Sequence, residues 1–233
     1  MQVEKVRFRS SDVKSIYFDS FPKNERMPFP MMVAMSKLWN TDFLSFYDGD
    51  KLCGFVYLAH NRKIVFVMFL AVDKTLRSKG YGSAILKEIQ NKYPNKKIII
   101  SIEPCDNNAP DIEIRTRRKD FYLRNEYKET GYMIKLAGVV QEIIICNGEF
   151  DKKQFRAFFA LYSNGTISFC QVFFFRKSSG FTQSACQKNG NRTGEGTGTD
   201  TGRQQSRCIN QDSGRSGDPN RDSQLSHKEL FLF

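Results

Sequence analysis

The segment from Ile64 to Tyr93 restricts the fold more than any other part of the chain. An almost continuous apolar run from Ile64 to Val72 is typical of a strand buried on both faces. After a short turn, Arg77 to Gly82 lead into a segment whose apolar residues recur at helical spacing, and Pro94 ends that segment. The pattern predicts a buried strand that passes through a glycine loop into an amphipathic helix, the helix spanning 82–93.

The glycine loop, Arg77-Ser78-Lys79-Gly80-Tyr81-Gly82, predicts an anion site. Glycine lets a backbone approach a ligand closely, and the first N–H groups of a helix are unpaired at the positive end of its dipole. The third glycine of a dinucleotide fingerprint and the Gly-Lys-Ser/Thr end of a P-loop are both missing. Taken alone, the loop fits a diphosphate site or a simple tight turn between strand and helix.

The remaining pattern predicts a mixed α/β chain with an antiparallel front half. Asp48-Gly49-Asp50, between two apolar runs, indicates a hairpin. Ser10-Ser11-Asp12 supply capping residues for a first helix, in which Val13, Ile16, Tyr17 and Phe21 follow at helical spacing. The element order is β-α-α-β-β-β-α-β-α-β-β-α, with strands at 2–8, 42–47, 51–59, 64–72, 97–102, 132–136 and 139–146, and further helices at 31–38, 82–93, 111–125 and 151–161.

Composition divides the chain unevenly. Residues 1–165 are rich in aliphatic and aromatic side chains and can bury a sizeable core. Residues 166–175 form an apolar extension, and Gly, Ser, Thr, Asn, Gln and Arg dominate residues 176–233. Such a segment cannot bury enough apolar surface to offset the entropy of ordering it, so we expect 176–233 to be a disordered, low-complexity tail. Its abrupt onset suggests an appended segment or a change of reading frame, which is a hypothesis that intact-mass analysis tests.

Charge and cysteine usage limit the partners. A net charge of +11 is compatible with a phosphate-rich cofactor, nucleic acid, an anionic membrane surface, or a basic surface with no dedicated partner. No apolar run approaches the ~18 residues of a membrane span, and the first residues lack an apolar signal core. The six cysteines and two histidines show no zinc-ligand spacing. We therefore expect a cytoplasmic protein with reduced thiols, no metal and no membrane association.

Two blocks resemble the GNAT superfamily of N-acetyltransferases, in a small single-domain form of bacterial type. Leu70-Ala71-Val72-Asp73 followed by Arg77 to Gly82 is similar to the family's strand end and its [QR]-x-x-G-x-[GA] signature, and Arg118 to Tyr127 resembles its F-Y-x-x-x-G-F block. The resemblance covers roughly residues 1–165. It implies a GNAT-like domain with a mostly antiparallel sheet, splayed central parallel strands and flanking helices. Glu126 and Tyr127 stand where the family has Gly and Phe, and a glycine there is a common signal for the end of a helix.

The resemblance also implies a set of residues for acetyl-CoA. Backbone groups of Leu70 and Val72 would pair with the pantetheine arm, and the N–H groups from Ser78 to Ser83 would hold the pyrophosphate. Asn108 falls where the family often has an asparagine that contacts pantetheine. The implied cofactor-binding residues are Leu70, Val72, Arg77, Ser78, Lys79, Gly80, Tyr81, Gly82, Ser83 and Asn108.

The implied reaction is direct attack of a primary amine on the thioester of acetyl-CoA. Tyr122 aligns with the tyrosine that protonates the departing thiolate; the alternative is a core tyrosine whose hydroxyl is satisfied. Glu103 is our candidate base at the end of a strand, with Glu113 a weaker one; the alternative for Glu103 is an ordinary strand-end residue before Pro104. The charged run 115–119 is interpreted as a solvated helix face, with a role in holding the 3′-phosphate or an acidic substrate as the alternative.

The sequence leaves a second class of function open, a non-enzymatic module that binds or senses CoA, or a basic protein that binds nucleic acid. Nucleic-acid binding is not expected, because the aromatic residues follow buried-strand patterns and do not alternate with basic ones on one surface. For the enzyme, we expect a small-molecule amine rather than a protein as acceptor. The chain would act as a monomer or a homodimer.

Overall fold

A computed structural model of the chain describes residues 1–38, 40–136, 139–163 and 173–176. The helices are α1 (Ser11–Ser20), α2 (Phe29–Leu38), α3 (Tyr81–Lys92), α4 (Ile112–Arg124) and α5 (Lys152–Ser163). The strands are β1 (Gln2–Lys5), β2 (Thr41–Asp48), β3 (Lys51–His60), β4 (Ile64–Val72), β5 (Lys97–Ile102), β6 (Lys128–Leu136), β7 (Val139–Cys146) and β8 (Phe173–Arg176). Through α5 the order agrees with the order predicted from sequence.

The strands of the described residues form one eight-stranded sheet in the order β1-β2-β3-β4-β5-β7-β6-β8. Its pairs are antiparallel except β4 with β5, which run parallel. The predicted hairpin is confirmed, since Asp48 pairs with Lys51 around a turn in which Gly49 has a φ of 57°. The mixed, mostly antiparallel fold class is therefore confirmed.

Helices cover both faces of this sheet. On one face α3 and α4 pack Ile85, Leu86 and Tyr122 against inward residues of β3, β4 and β5. On the other face α1 and α2 cover the first half of the sheet, where the Tyr17 and Phe69 rings meet edge to face with centroids 5.4 Å apart. Such an aromatic pair contributes about 0.5–1.5 kcal/mol beyond its buried area. Phe155 and neighbouring aromatic residues of α5 cover the second half.

The first strand is shorter than predicted. The sequence favours a strand over 2–8, whereas β1 ends at Lys5. The N–H of Arg7 donates to Ser10 Oγ at 3.1 Å, so the chain turns there toward α1. Phe8, the last residue of the predicted strand, is 54% exposed.

The interpretation of 115–119 as a solvated helix face is wrong. Arg115 forms an ion pair with Asp111 on the same helix, with Nε and Oδ1 2.9 Å apart. Arg118 is paired with Glu103, and Lys119 is buried against Glu142. The run looks solvated in sequence because the partners of Arg118 and Lys119 lie on β6, on β7 and directly after β5, which helical periodicity does not reveal.

Some predictions fall outside the described residues. The stretch 177–233 of the predicted tail and the stretch 166–172 of the apolar extension lie there, so the domain boundaries stay a prediction. Three of the predicted reduced cysteines, Cys53, Cys105 and Cys146, are described, and Cys53 and Cys146 are free thiols. A search of the described helices finds none that is long and apolar enough to cross a membrane.

Candidate active site

The parallel strands β4 and β5 separate toward their carboxyl ends. Their pairing runs from Ile64↔Lys97 to Val67↔Ile100, while β4 continues to Val72 and β5 to Ile102. At the same point the pairing of β4 with β3 shifts from Leu58↔Val67 to Tyr57↔Phe69, which makes Met68 an extra residue in β4. A β-bulge bends its strand and increases the local twist. The bulge at Met68 therefore accompanies the separation, and the predicted splay is confirmed.

Leu70 and Val72 lie beyond this bulge, where the backbone of β4 has one open edge. On the other edge they pair with Val56 and Gly54 of β3, and their side chains are buried beneath α3. On the side toward β5, this part of β4 has no partner strand among the described residues. A ligand with amide groups can pair with such an edge as an added strand would.

Gly54, which sequence reasoning missed, permits close packing behind this gap. A Cβ at Gly54 would lie 2.3 Å from the carbonyl oxygen of Ala71 and 3.0 Å from Ile85 Cδ1. Glycine at this position thus lets β4 and α3 approach β3. A glycine inside a strand pattern is a signal for close backbone approach and could have found it.

The glycine loop leads from β4 into the first turn of α3. Ser78 and Gly80 take the left-handed conformation, with φ of 61° and 86°, and Gly80 is the N-cap of the helix. The N–H of Ala84 donates to the carbonyl oxygen of Gly80 at 3.0 Å, which is the first bond of the helix. The N–H groups of residues 81 to 83 precede that bond and are directed out of the helix end.

Charge around this helix end is mixed, with basic side chains in the loop itself. Lys79 is exposed and Arg77 is half-buried. Burial lowers the pKa of Arg77, whereas the carboxylates of Asp73 and Asp19 act in the opposite direction. A guanidinium stays charged in proteins, so Arg77 supplies a fixed positive charge beside the loop.

A hydrogen bond and a close approach to α4 define the position of the first turn of α3. The hydroxyl of Tyr81 donates to Asp48 Oδ2 at 2.8 Å, which links the helix to the hairpin between β2 and β3. A Cβ at Gly82 would lie 3.1 Å from Phe121 Cζ on α4. The structure therefore brings the predicted diphosphate loop next to the helix that carries Tyr122.

Tyr122 is 3% exposed on α4. Burial raises its pKa to about 12, and the positive charge of Arg118 one turn earlier partly offsets that effect. The phenol is therefore protonated at neutral pH and has a proton to donate there.

Glu103, the candidate base, directly follows β5 at the side of the gap. Its Oε2 forms an ion pair with Arg118 Nη1. Arg118 therefore contacts one predicted catalytic residue and acts electrostatically on the other. Glu113 is exposed in the first turn of α4.

Glu25, in the loop between α1 and α2, interacts electrostatically with Glu103. Partial burial raises the pKa of Glu25, although the residue remains exposed to solvent. The negative charge of Glu103 raises this pKa further, and the positive charge of Arg118 lowers it. Arg26 holds the loop by donating from Nη2 to the carbonyl oxygen of Phe18 at 2.9 Å. No local sequence signal connects Glu25 with Glu103, because tertiary folding alone brings them together.

Asn108 lies in the loop between β5 and α4, with an exposed side chain. Its backbone N–H donates to Asp106 Oδ1 at 3.0 Å. The implied contact of Asn108 with pantetheine stays a prediction. Nowhere in the described residues do three or more His, Cys, Asp or Glu side chains gather as a metal site.

Comparison with known proteins agrees with this geometry. Residues 39–129 match the sequence model of the acetyltransferase (GNAT) domain. A Bacillus subtilis (strain 168) protein named as an acetyltransferase, YjbC, is 36% identical over 64 residues. That match covers 28% of this chain and 31% of the relative, so the chain spans only about a third of the curated relative that it matches.

Two solved structures share the fold. One, from Bacteroides thetaiotaomicron and described as a GNAT-family acetyltransferase, superposes with a TM-score of 0.57 and 18% identity, over 70% of this chain and 97% of its own. The other is an aminoglycoside 6′-N-acetyltransferase complexed with coenzyme A, with a TM-score of 0.50 and 13% identity, over 62% and 96% of the two chains. At these identities the likeness shows the fold alone.

Proposed function

Because residues 39–129 match the sequence model of the GNAT acetyltransferase domain, we propose that this chain transfers an acetyl group from acetyl-CoA to a primary amine. One observation carries the proposal. The gap between β4 and β5 opens beyond the pair Val67↔Ile100, and from β4 the chain continues through the glycine loop to the helix end at Gly80. Coenzyme A is bound in the aminoglycoside acetyltransferase that shares this fold, which supports the same ligand here.

The gap and the helix end would hold different parts of acetyl-CoA. The open edge of β4 at Leu70 and Val72 would pair with the amides of the pantetheine arm. The N–H groups from Ser78 to Ser83 would receive the diphosphate, and the helix dipole adds roughly 0.3–1 kcal/mol to the hydrogen bonds. Arg77 and Lys79 supply positive charge to the same group.

Transfer of the acetyl group needs no enzyme nucleophile. The neutral amine attacks the thioester carbon, so a C–N bond forms while the C–S bond breaks. The proton of the amine passes to Glu103, and the departing sulfur accepts a hydrogen bond and then a proton from Tyr122. An N–H at the open edge of β4 would stabilise the charge on the carbonyl oxygen. Both side chains regain their starting protonation by exchange with water.

The acceptor would be a small cationic amine. Glu103 directly follows β5 beside the gap, and Glu25 in the loop between α1 and α2 interacts with it electrostatically, so the two carboxylates would favour a cation there. These carboxylates would attract the protonated amine. The amine would release one proton to water before it attacks, so that Glu103 is still ionised and can take the second proton in the transfer step.

The test is acetylation by the full-length protein. Acetyl-CoA and a panel of primary amines, comprising polyamines, aminoglycosides, amino acids and a peptide amino terminus, are followed by thiol release and by the mass of the acceptor. We expect acetylation of at least one amine, slowed in Glu103→Gln and preserved in the exposed control Glu113→Gln. Binding of acetyl-CoA without any acetylated amine would favour a CoA-sensing module, and absence of binding would contradict both.

A further inference from the structure

Arg118 lies between the two side chains that handle protons in the proposed reaction. Its Nη1 forms an ion pair with Oε2 of Glu103, and its side chain is 10% exposed. Tyr122 follows one helical turn later on α4, on the same face of that helix. Arg118 therefore contacts Glu103, which follows β5, and acts electrostatically on Tyr122 of α4.

Resting on the proposed function, we propose that Arg118 is a positioning residue that holds the Glu103 carboxylate at the open end of β5 for proton transfer from the acceptor amine. A planar guanidinium suits this role because its donors have fixed directions and it stays charged. Arg118 itself does not touch the reacting atoms in this account.

A second contact from the same helix supports the assignment. Arg115 Nη1 donates to the carbonyl oxygen of Pro104 at 3.1 Å, and Arg115 Nε is held by Asp111 Oδ1 at 2.9 Å. Two arginines of α4 therefore hold consecutive residues after β5, one through the side chain of Glu103 and one through the backbone of Pro104. The segment is fixed in both respects.

The charges around Glu103 explain why a cation is needed there. The charge of Glu103 helps to raise the pKa of Glu25, so the two carboxylates repel one another. Arg118 opposes that repulsion from α4, whereas Glu25 approaches from the loop before α2. Without Arg118 the Glu103 side chain would be free to turn away from Glu25 and from the gap.

A double-mutant cycle on the full-length enzyme tests the assignment. A misplacement of about 1 Å in a catalytic group costs about 100-fold in rate, so we expect Arg118→Gln to lower kcat by about 10- to 100-fold. In the Glu103→Gln background the same change should lower kcat by no more than about twofold, because residues that act as a unit are not additive. The affinity for acetyl-CoA should stay the same in all variants.

Two further variants separate positioning from structural damage. Arg117→Gln removes the same charge from an exposed position one residue earlier and should leave kcat unchanged. Arg118→Lys keeps the charge without the planar donors and should recover part of the lost rate; it also replaces Arg118→Gln in the cycle if that variant unfolds.

Three results would overturn the inference. Equal losses from Arg118→Gln with and without Glu103 would show that Arg118 does not act through Glu103. A normal kcat in Arg118→Gln would show that the ion pair is not used. If the wild type binds acetyl-CoA but acetylates no amine, the proposed function fails first and the role of Arg118 fails with it.

Discussion

Lys119 Nζ lies 3.1 Å from both carboxylate oxygens of Glu142, a residue of β7 that is completely buried. Glu129 of β6 forms an ion pair with the same ammonium group. Burial alone would lower the pKa of Lys119, but the hydrogen bond with Glu129 and the charge of Glu142 outweigh it, and the pKa is raised. The contacts fasten α4, and with it Arg118 and Tyr122, to the second half of the sheet.

Lys119→Met should destabilise the protein by about 3–5 kcal/mol, because it removes the ammonium group that the buried carboxylate of Glu142 contacts. Urea unfolding measures the change. The control is Lys87→Met, at an exposed position of α3, which should change the free energy of unfolding by no more than about 0.5 kcal/mol. A loss below about 1 kcal/mol in Lys119→Met would show that Glu142 is not held as a buried anion.

Tyr122→Phe should lower kcat while leaving the affinity for acetyl-CoA unchanged, because only the hydroxyl meets the departing sulfur. General acid catalysis contributes about 100- to 10,000-fold, which bounds the expected loss. The matched control is Tyr127→Phe, a second buried tyrosine whose ring centroid lies 5.7 Å from that of Tyr122. Unchanged turnover in Tyr122→Phe would remove Tyr122 from the mechanism.

The control variant Tyr127→Phe makes a separate prediction about stability. The hydroxyl of Tyr127 is buried and has no hydrogen-bond partner among the residues that the structure describes. An unsatisfied buried polar group costs about 1–3 kcal/mol, so Tyr127→Phe should keep full activity and unfold at an equal or higher urea concentration.

His60 should make the free energy of unfolding depend on pH below about 6.5. Burial is the main cause that lowers the pKa of His60. The positive charges of Lys96 and Lys92 lower this pKa further, and the negative charge of Asp42 raises it. The folded state therefore favours neutral His60, so its contribution is fully present above the unfolded pKa and is lost as pH falls. His60→Gln should lose less stability than the wild type between about pH 7.5 and 5.5, measured by urea unfolding at both values. Equal losses would contradict the assignment.

Much of the fold could be predicted from local sequence pattern. The bounds of β4 and β5 agree with the sequence prediction, because both are short apolar runs between turn residues. Asp48-Gly49-Asp50 fixed the hairpin through turn chemistry. The strand β6 begins at Lys128, earlier than predicted. A bulge around Gly131 interrupts its pairing with β7 and the alternation of inward and outward side chains, so its first residues were not recognised as a strand.

The features that shape the candidate site were harder to predict. Met68 is one apolar residue in an entirely apolar strand, so no change of period marks it as a bulge. The ion pair between Arg118 and Glu103, and the approach of Glu25, depend on how α4 and the loop before α2 pack on the sheet. The resemblance to a family supplied the diphosphate loop and Tyr122, whereas the residues that position them came from tertiary structure.

The diphosphate loop is best tested at Ser83, in the first turn of α3, because a side chain at Gly82 would collide with Phe121. Ser83→Asp places a carboxylate at the helix end, which favours the free helix and repels a diphosphate. Ser83→Asn is the matched control with the same shape and no charge.

The most direct measurement is the thermal unfolding of the full-length wild type, Ser83→Asp and Ser83→Asn with and without acetyl-CoA. Ligand at about 100 times Kd stabilises a protein by roughly 2.7 kcal/mol, which is about 5–10 °C in Tm for a chain of this size. We predict that shift in the wild type, most of it in Ser83→Asn, and its loss in Ser83→Asp. Absence of a shift in the folded wild type, or an undiminished shift in Ser83→Asp, would contradict acetyl-CoA binding at the end of α3.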